Sequence, residues 1–341
     1  MTPLRRLRLI AGALVYDWPD FERRLRGFGA RAGQPEAWLG IHNRADRLIS
    51  DGRGFRCEWR FTRDLHIANV LPSTGKRLMR VALERWPIAL SETPLHAGAP
   101  LATFVIGHRG VERLPHLLAT LRSIAAQSVA VECVVIEQSH QPEVASSLPP
   151  WVRYIHTPVP PDLPYCRSWT FNAGATHAHS DVVVLHDNDI LVPESYAEEA
   201  VARVAEGWKF VNLKRFVFYL PAYETGRVFA TRHVRPSRAT VVQNLHGGSI
   251  VADRAAYDAI GGFDEAFIGW GGEDNDFWDR AATTERIYDF GYLPMIHLHH
   301  GDQPGKRERT TAAIARYEEL EAIPPSERIV RLLAARTERK P

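Results

Sequence analysis

The stretch "HDNDILVP", residues 186–193, follows "SDVVVL", residues 180–185. A run of valines reads as a buried strand, and two aspartates, Asp187 and Asp189, stand just past its end. Charge at the edge of a core is costly unless a partner offsets it. In an extended segment, side chains two apart point the same way. Two carboxylates on one side suit a hard divalent cation, Mg²⁺ or Mn²⁺, which prefers oxygen ligands and keeps positions open for phosphate oxygens. A turn over Asp187 and Asn188, capped by Asp189, is the plainer alternative.

Working outward, "LATFVIG" (101–107) reads as a strand and "VERLPHLLATLRSIAAQ" (111–127) as the helix after it. "VECVVIEQS" (131–139) is a second strand, "YCRSWTFNAGATHAH" (165–179) a helix, and "DVVVLHDND" (181–189) a third strand. Short apolar runs separated by helical patterns predict βαβ units and a mostly parallel sheet covered on both faces. Ligands bind beyond the carboxyl ends of such strands. His108-Arg109, Glu137-Gln138 and Asp187-Asn188-Asp189 are therefore expected along one edge.

Residues 1–98 form a region apart, predicted to be rich in helix. Trp18, Phe21, Leu25 and Phe28 share a helical face in "WPDFERRLRGFGARAG", as do Leu78, Val81, Ala82 and Trp86 in "PSTGKRLMRVALERWP". Ser73 or Thr74 is the expected cap of the second helix and Pro87 its stop. Gly75-Lys76 lacks the spacing of a phosphate loop. The basic, briefly apolar start "MTPLRRLRLIAGALVYDWPDF" is too short to span a bilayer. It predicts a core strand or surface helix and leaves open peripheral contact with anionic lipid. Residues 306–341 predict a charged helical tail.

The chain has 341 residues, 42 Lys plus Arg against 40 Asp plus Glu, and a net charge of +2. No global positive field points to nucleic acid. Three widely spaced cysteines, Cys57, Cys133 and Cys166, contain no C-x-x-C pair. That argues against a disulfide framework or zinc ribbon and for a reducing, cytoplasmic location, at the inner face of a membrane if lipid contact occurs.

Two further clusters carry chemistry. In "IGGFDEAFIGWGGEDNDFWDRA" (260–281), Gly269, Gly271 and Gly272 flank Trp270 and lead into Glu273 and Asp274. The glycines permit tight turns and close approach by a ligand, and the indole is a platform for a sugar ring. Acids at a helix start also serve as caps. A capping role for one would leave another free as general base. In "MIHLHHGD" (295–302), His297, His299 and His300 are candidate metal ligands, although H-E-x-x-H is absent. Arg109 could meet a diphosphate or close a salt bridge. Asn172 could contact ligand or cap a turn. Gly247-Gly248 permit close backbone approach or a bend.

Taken together, "FVIGHRG…VVIEQS…FNAGA…VVVLHDNDILVP…LHGGSIVADRAAYDAIGGFDEAFIGWGGEDNDFWDR…HLHHGDQPGK" resembles nucleotide-sugar glycosyltransferases of the GT-A fold. It resembles most the inverting group shared by animal β-1,4-galactosyltransferases and bacterial chondroitin-type polymerases. The resemblance covers roughly 100–305 and implies a catalytic domain over 99–305, with 1–98 an extension of unknown role. It implies Asp187 and Asp189 as the D-x-D, with Asp189 the more direct Mn²⁺ (or Mg²⁺) ligand. It implies Trp270 at acceptor and donor sugars, Asp274 beside Glu273 as the base, and His300, His299 or His297 as the metal histidine. Arg109, Glu137, Asn172, Gly247, Gly248 and Gly271 are implied near the donor. The family's proline after the first strand is missing, and Asn275 replaces a third acid. Leu245 stands where the animal enzymes carry tyrosine, which leaves room for an N-acetyl group on the donor.

The expected activity is inverting, metal-dependent transfer from a UDP-sugar (UDP-galactose, UDP-GalNAc or UDP-GlcNAc) to a hydroxyl of a saccharide or glycolipid acceptor. Loops over 215–245 and the N-terminal region are the expected acceptor-binding elements; the run Arg227, Arg232, Arg235 and Arg238 could bind an anionic acceptor or a lipid-phosphate carrier, or form a solvated loop that orders over the donor. The alternatives are a metal-dependent nucleotidyltransferase or phosphohydrolase, which would need further acids or a phosphate loop after the first strand, and a non-catalytic carbohydrate-binding relative.

Overall fold

The computed structural model describes residues 10–26, 37–269, 271–301 and 306–338. In chain order the strands are β1 (Arg47–Ser50), β2 (Phe55–Glu58), β3 (Ala102–His108), β4 (Val131–Ser139), β5 (Arg153–Pro158), β6 (Val182–His186) and β7 (Ile190–Leu191). They continue with β8 (Phe210–Val211), β9 (Lys214–Tyr219), β10 (Thr240–Gln243), β11 (Ser249–Asp253), β12 (Ile287–Tyr288) and β13 (Leu293–His297). The main sheet has seven strands in the order β12-β8-β11-β6-β3-β4-β5. Its β6-β3-β4-β5 half is parallel, as expected, and β11 runs antiparallel to both neighbours.

Alternation along each buried strand sends side chains to two apolar layers. On β3, Phe104 and Ile106 join the layer containing Leu117 of helix Leu114–Ala125 and Tyr196 of helix Tyr196–Ala205. Val105 joins Phe171 of helix Arg167–Thr176 and Phe277 of helix Glu273–Ala282 on the other face. Helices therefore cover both faces of the sheet.

A second sheet of four strands, β10-β9-β13-β7, stands beside the first. The 215–245 segment is a strand, a helix (Ala222–Thr231) and a strand, with β9 and most of β10 buried, rather than the loop expected from sequence. Charged residues at core positions disguise β9. Lys214 Nζ donates to the Ser249 carbonyl, and Arg215 Nε to the Leu39 carbonyl at 2.7 Å. Its Nη1 reaches Asn244 Oδ1 at 3.0 Å. Buried cations are tolerated when hydrogen-bonded in this way.

Described residues of the first 98 share the main core. Trp38 packs on Trp86 and Phe216, with ring centroids 5.7 and 6.2 Å apart. The Leu65 N–H extends the second sheet by donating to Val241 O at 2.8 Å. The segment holds the β1-β2 hairpin as well as helices. Helix Pro72–Arg85 starts with Pro72 in its first turn, so Ser73 and Thr74 lie inside it and neither caps it. Proline needs no N–H partner there, and the Thr74 hydroxyl instead donates back to Leu71 O at 2.7 Å. The chain is helical from Ile10, with Phe21 and Leu25 buried, and Phe28 lies outside the described residues. The tail forms helices Lys306–Glu321 and Pro325–Glu338.

Candidate active site

Beyond the carboxyl ends of β3 and β6 opens a cleft of about 1250 Å³. Asp187, Asp189, Leu245, Gly247, Gly248, Gly271, Glu273, Asp274, His297, His299, His300 and Arg109 all line it. Trp270 lies outside the described residues, between two glycines that line the cleft.

The D-x-D is a crossover. β6 ends at His186, a turn follows, and β7 joins the second sheet. The turn gives the two carboxylates different partners. Asp187 N–H donates to Gly248 O at 2.8 Å, and its carboxylate accepts from Arg167 Nε at 2.6 Å. Asp189 turns to Arg113, His297 and His300. The register of β13 explains the meeting: His297 stands opposite Ile190 of β7 and Tyr219 of β9, and its ring stacks on Tyr219 at 4.3 Å.

The ligand atoms of Asp189, His297 and His300 lie within 4.8 Å of one another. Asp189 Oδ1 is buried with no hydrogen-bond partner among the described residues and sits 3.8 Å from His297 Nε2. An orphaned carboxylate oxygen facing imidazole nitrogens fits a divalent cation of the Mn²⁺ type. Burial works against charge on Asp189, but His297, Arg113 and His300 outweigh it and hold the carboxyl below its usual range. Burial lowers the His297 pKa, which favours the neutral, ligating imidazole. Asp187 is not part of this trio. His299 is not either: its N–H is held by Thr225 Oγ1 at 2.8 Å, its carbonyl by His116, and the residue is exposed.

The acid pair opens helix Glu273–Ala282. Glu273 is buried and accepts from the Gly271 N–H at 2.7 Å. Burial, then the neighbouring Asp274 charge, pushes its carboxyl up to about 7. Asp274 is the more open of the two. A Cβ on Gly247 would meet the Asp274 carboxylate, so any larger residue there would push that side chain aside. Gly272, at φ +86, lies against Ala313 and Tyr317 of the tail helix.

Arg167 connects the clusters, and the sequence reading missed it. It bonds Asp187 at 2.6 Å and Asp274 at 2.9 Å, with Glu273 at 3.8 Å. Burial opposes its charge, but those three carboxylates prevail and keep it protonated. Asp187 lies deep in the cleft, where burial raises its carboxyl to about 6 against the pull of Arg167. The signal was present: Arg167 is the first residue of its helix, where the macrodipole disfavours a cation unless anions offset it. Arg113 was missed for want of any local pattern.

Two expected residues fall elsewhere. Glu137 lies two residues before the end of β4 but does not line the cleft, because Tyr154 Oη of β5 donates to it at 2.6 Å and the Glu143 N–H of the next loop at 2.9 Å. Asn172 is also buried away from the cleft. It donates to Phe263 O at 2.9 Å and accepts from Tyr257 Oη at 2.6 Å, which braces the 257–265 turn. Arg109 lines the cleft, with its guanidinium donating to the carbonyls of Pro161 and Leu163.

A family model described as "N-terminal domain of galactosyltransferase" matches residues 236–298, the span holding Leu245, Gly247, Gly248, Glu273, Asp274 and His297. β-1,4-Galactosyltransferase 6 of Mus musculus is 28% identical over 149 residues, and β-1,4-galactosyltransferase 5 of Danio rerio 26% over 149. Each match takes in 41% of this chain and 34% of the relative. Among solved structures, the catalytic domain of Drosophila β1,4-galactosyltransferase 7 in complex with xylobiose is 14% identical. It covers 61% of this chain and 77% of its own, at a TM-score of 0.33. A mannosyltransferase of Pyrobaculum calidifontis in complex with GDP-Man and Mn²⁺ is 16% identical, covering 80% of this chain and 86% of its own, at 0.40. Over the matched segment, which lies around this cleft, the chain is similar to galactosyltransferases, and its fold is mixed α/β with a central sheet covered by helices on both faces.

Proposed function

We propose that this protein transfers a hexose or N-acetylhexosamine from a UDP-sugar to a saccharide or glycolipid hydroxyl, with inversion and with a divalent cation, Mn²⁺ or Mg²⁺. The observation that carries this is the convergence, in one cleft, of the Asp189–His297–His300 trio and the Glu273–Asp274 pair, bridged by Arg167. Asp189, His297 and His300 would hold the cation, which when bound supplies positive charge to a diphosphate.

The chain's own groups do the rest. Arg167 Nη2 is buried without a hydrogen-bond partner among the described residues, so it has a donor left for an anionic ligand. Asp274 takes the proton from the incoming acceptor hydroxyl. That oxygen bonds to the anomeric carbon as the carbon–phosphate-oxygen bond breaks on the opposite side, and UDP leaves with the electron pair. Glu273, anchored on the Gly271 N–H, orients the loop around the reacting sugar. Leu245 is buried in the cleft wall, and its short side chain supports acceptance of an N-acetyl group. The three cysteines are all unpaired and buried, which supports the cytoplasmic reading.

A donor screen with and without Mn²⁺ tests the proposal. Metal-dependent release of UDP with a glycosylated product is expected. Release of sugar-1-phosphate or free phosphate instead would sink it. Turnover confined to unsubstituted hexoses would remove the role given to Leu245.

A further inference from the structure

The two carboxylate oxygens of Asp189 have different surroundings. Oδ2 accepts from Arg113 Nη2 and lies 3.4 Å from His300 Nε2. Oδ1 has no hydrogen-bond partner among the described residues and stands 3.8 Å from His297 Nε2. The Arg113–Asp189 pair is shielded, with side chains 14% and 7% exposed. Solvent and salt therefore screen it little.

Arg113 is itself held from behind. Its Nη2 also donates to Asn188 Oδ1 at 3.1 Å, and the Asn188 amide nitrogen reaches His108 Nδ1 at 3.0 Å. His108 is fully buried, and burial pushes its pKa down to about 4. A neutral ring can accept through Nδ1, which turns the Asn188 amide oxygen toward Arg113. The backbone reaches Arg113 through Gly110, at φ +87, and the turn Val111–Arg113, directly after the buried strand β3. The guanidinium is thus anchored to the sheet on one side and to the D-x-D turn on the other.

We propose that Arg113 is a positioning residue that withholds one oxygen of Asp189, so that the carboxylate offers a cation Oδ1 alone, and that this selects Mn²⁺ over Ca²⁺. This deepens the transferase reading and rests on its metal trio. A calcium ion gathers roughly six to eight oxygens and is well served by a carboxylate that turns both of its oxygens inward. A Mn²⁺-type ion accepts imidazole nitrogens beside a single carboxylate oxygen and leaves places for phosphate oxygens. The charge of Arg113 repels every dication alike and so lowers affinity without selecting. The selection comes from the oxygen it withholds, and the ratio of two affinities separates the effects.

The test follows free Mn²⁺ by electron paramagnetic resonance on the full chain, with and without UDP, and adds Ca²⁺ as competitor. Calcium is expected to displace Mn²⁺ poorly from the wild type. Arg113→Met keeps the length of the side chain and removes its donors. In that variant the calcium-to-manganese ratio of dissociation constants is expected to fall about tenfold or more. Arg113→Lys returns one donor to Oδ2 and should restore most of the ratio. Asn188→Ala, which loosens the arginine, should shift the ratio in the same direction by less. Thermal midpoints check that each variant is folded. An unchanged ratio in Arg113→Met, with Mn²⁺ still bound, would overturn the role of Arg113 and leave the trio standing. A parallel change in both constants would reduce Arg113 to its charge and likewise overturn the selection. No Mn²⁺ binding to the wild type in either condition would remove the trio, and with it the metal part of the transferase reading.

Discussion

Arg167 and Asp274 are joined by a 2.9 Å charged hydrogen bond, while the same guanidinium holds Asp187 at 2.6 Å. One side chain at the head of a helix thus ties the D-x-D turn to the proposed base. Charges gathered in a shielded cleft are stable only as a set.

Arg167→Ala leaves Asp187, Asp274 and the buried Glu273 facing one another. We expect a loss of about 3 kcal/mol in unfolding free energy, read by chemical denaturation, with transfer abolished. Arg167→Lys should recover part of the stability but not the two-armed geometry. Wild-type stability in Arg167→Ala would show that the bridge is decorative.

Asp274→Asn keeps the volume next to Gly247 and removes the proton acceptor. Transfer should fall ~10²–10⁴-fold with donor affinity nearly unchanged, measured by single-turnover kinetics beside donor titration. Full activity in this variant would require another base.

Among the histidines, His297→Ala and His300→Ala should each weaken Mn²⁺ binding, as should Asp189→Ala, by at least the roughly 10–100-fold that loss of a mere supporting residue around a metal costs. His299→Ala should leave it unchanged, since its ring stands outside the trio. Titration of free Mn²⁺ by electron paramagnetic resonance separates these outcomes without reference to turnover.

Lys214 is fully buried, and burial drives its pKa from 10.5 down to about 7. Between those values the unfolded chain binds a proton that the folded chain has released. Its contribution to stability therefore rises with pH across this window, by at most about 1.4 kcal/mol per pH unit. Lys214→Met should flatten that rise. The difference between wild-type and variant melting profiles from pH 7 to 10 isolates it from tyrosine ionisation. An unchanged slope would mean that Lys214 stays charged.

Arg328, in helix Pro325–Glu338, reaches Asp276 at 2.8 Å and Asp279 at 3.1 Å on the helix that carries the acid pair. Both Arg328 and Asp276 are buried. Arg328→Ala should cost about 3 kcal/mol and lower kcat more than donor affinity, because it loosens the helix behind Asp274. Arg328→Lys should restore part of both. A kcat untouched by Arg328→Ala would separate the tail from the site.

Three strands of the central sheet were legible because β3, β4 and β6 are buried and read as apolar runs, whereas β5, β8, β11 and β12 were not read. The second sheet was not. Lys214 and Arg215 place cations at core positions of β9, and the arginines between 227 and 238 give its neighbour β10 the look of a loop. Asn172 was read as a ligand residue from the resemblance that its "FNAGA" segment carries, and Glu137 from its place near a strand end. Their hydrogen bonds to Tyr257 and Tyr154, many residues away, could not be seen locally.

The order of residues by itself determined three parallel strands of the sheet, the edge where ligands gather, and the acids and imidazoles available there. Those follow from local periodicity and from which side chains carry charge. Only the tertiary structure decided that Asp189 meets His297 and His300 while Asp187 turns to Arg167. The reason is that β7 and β13, about a hundred residues apart, pair in one register, and a pairing of that range leaves no mark on either segment alone.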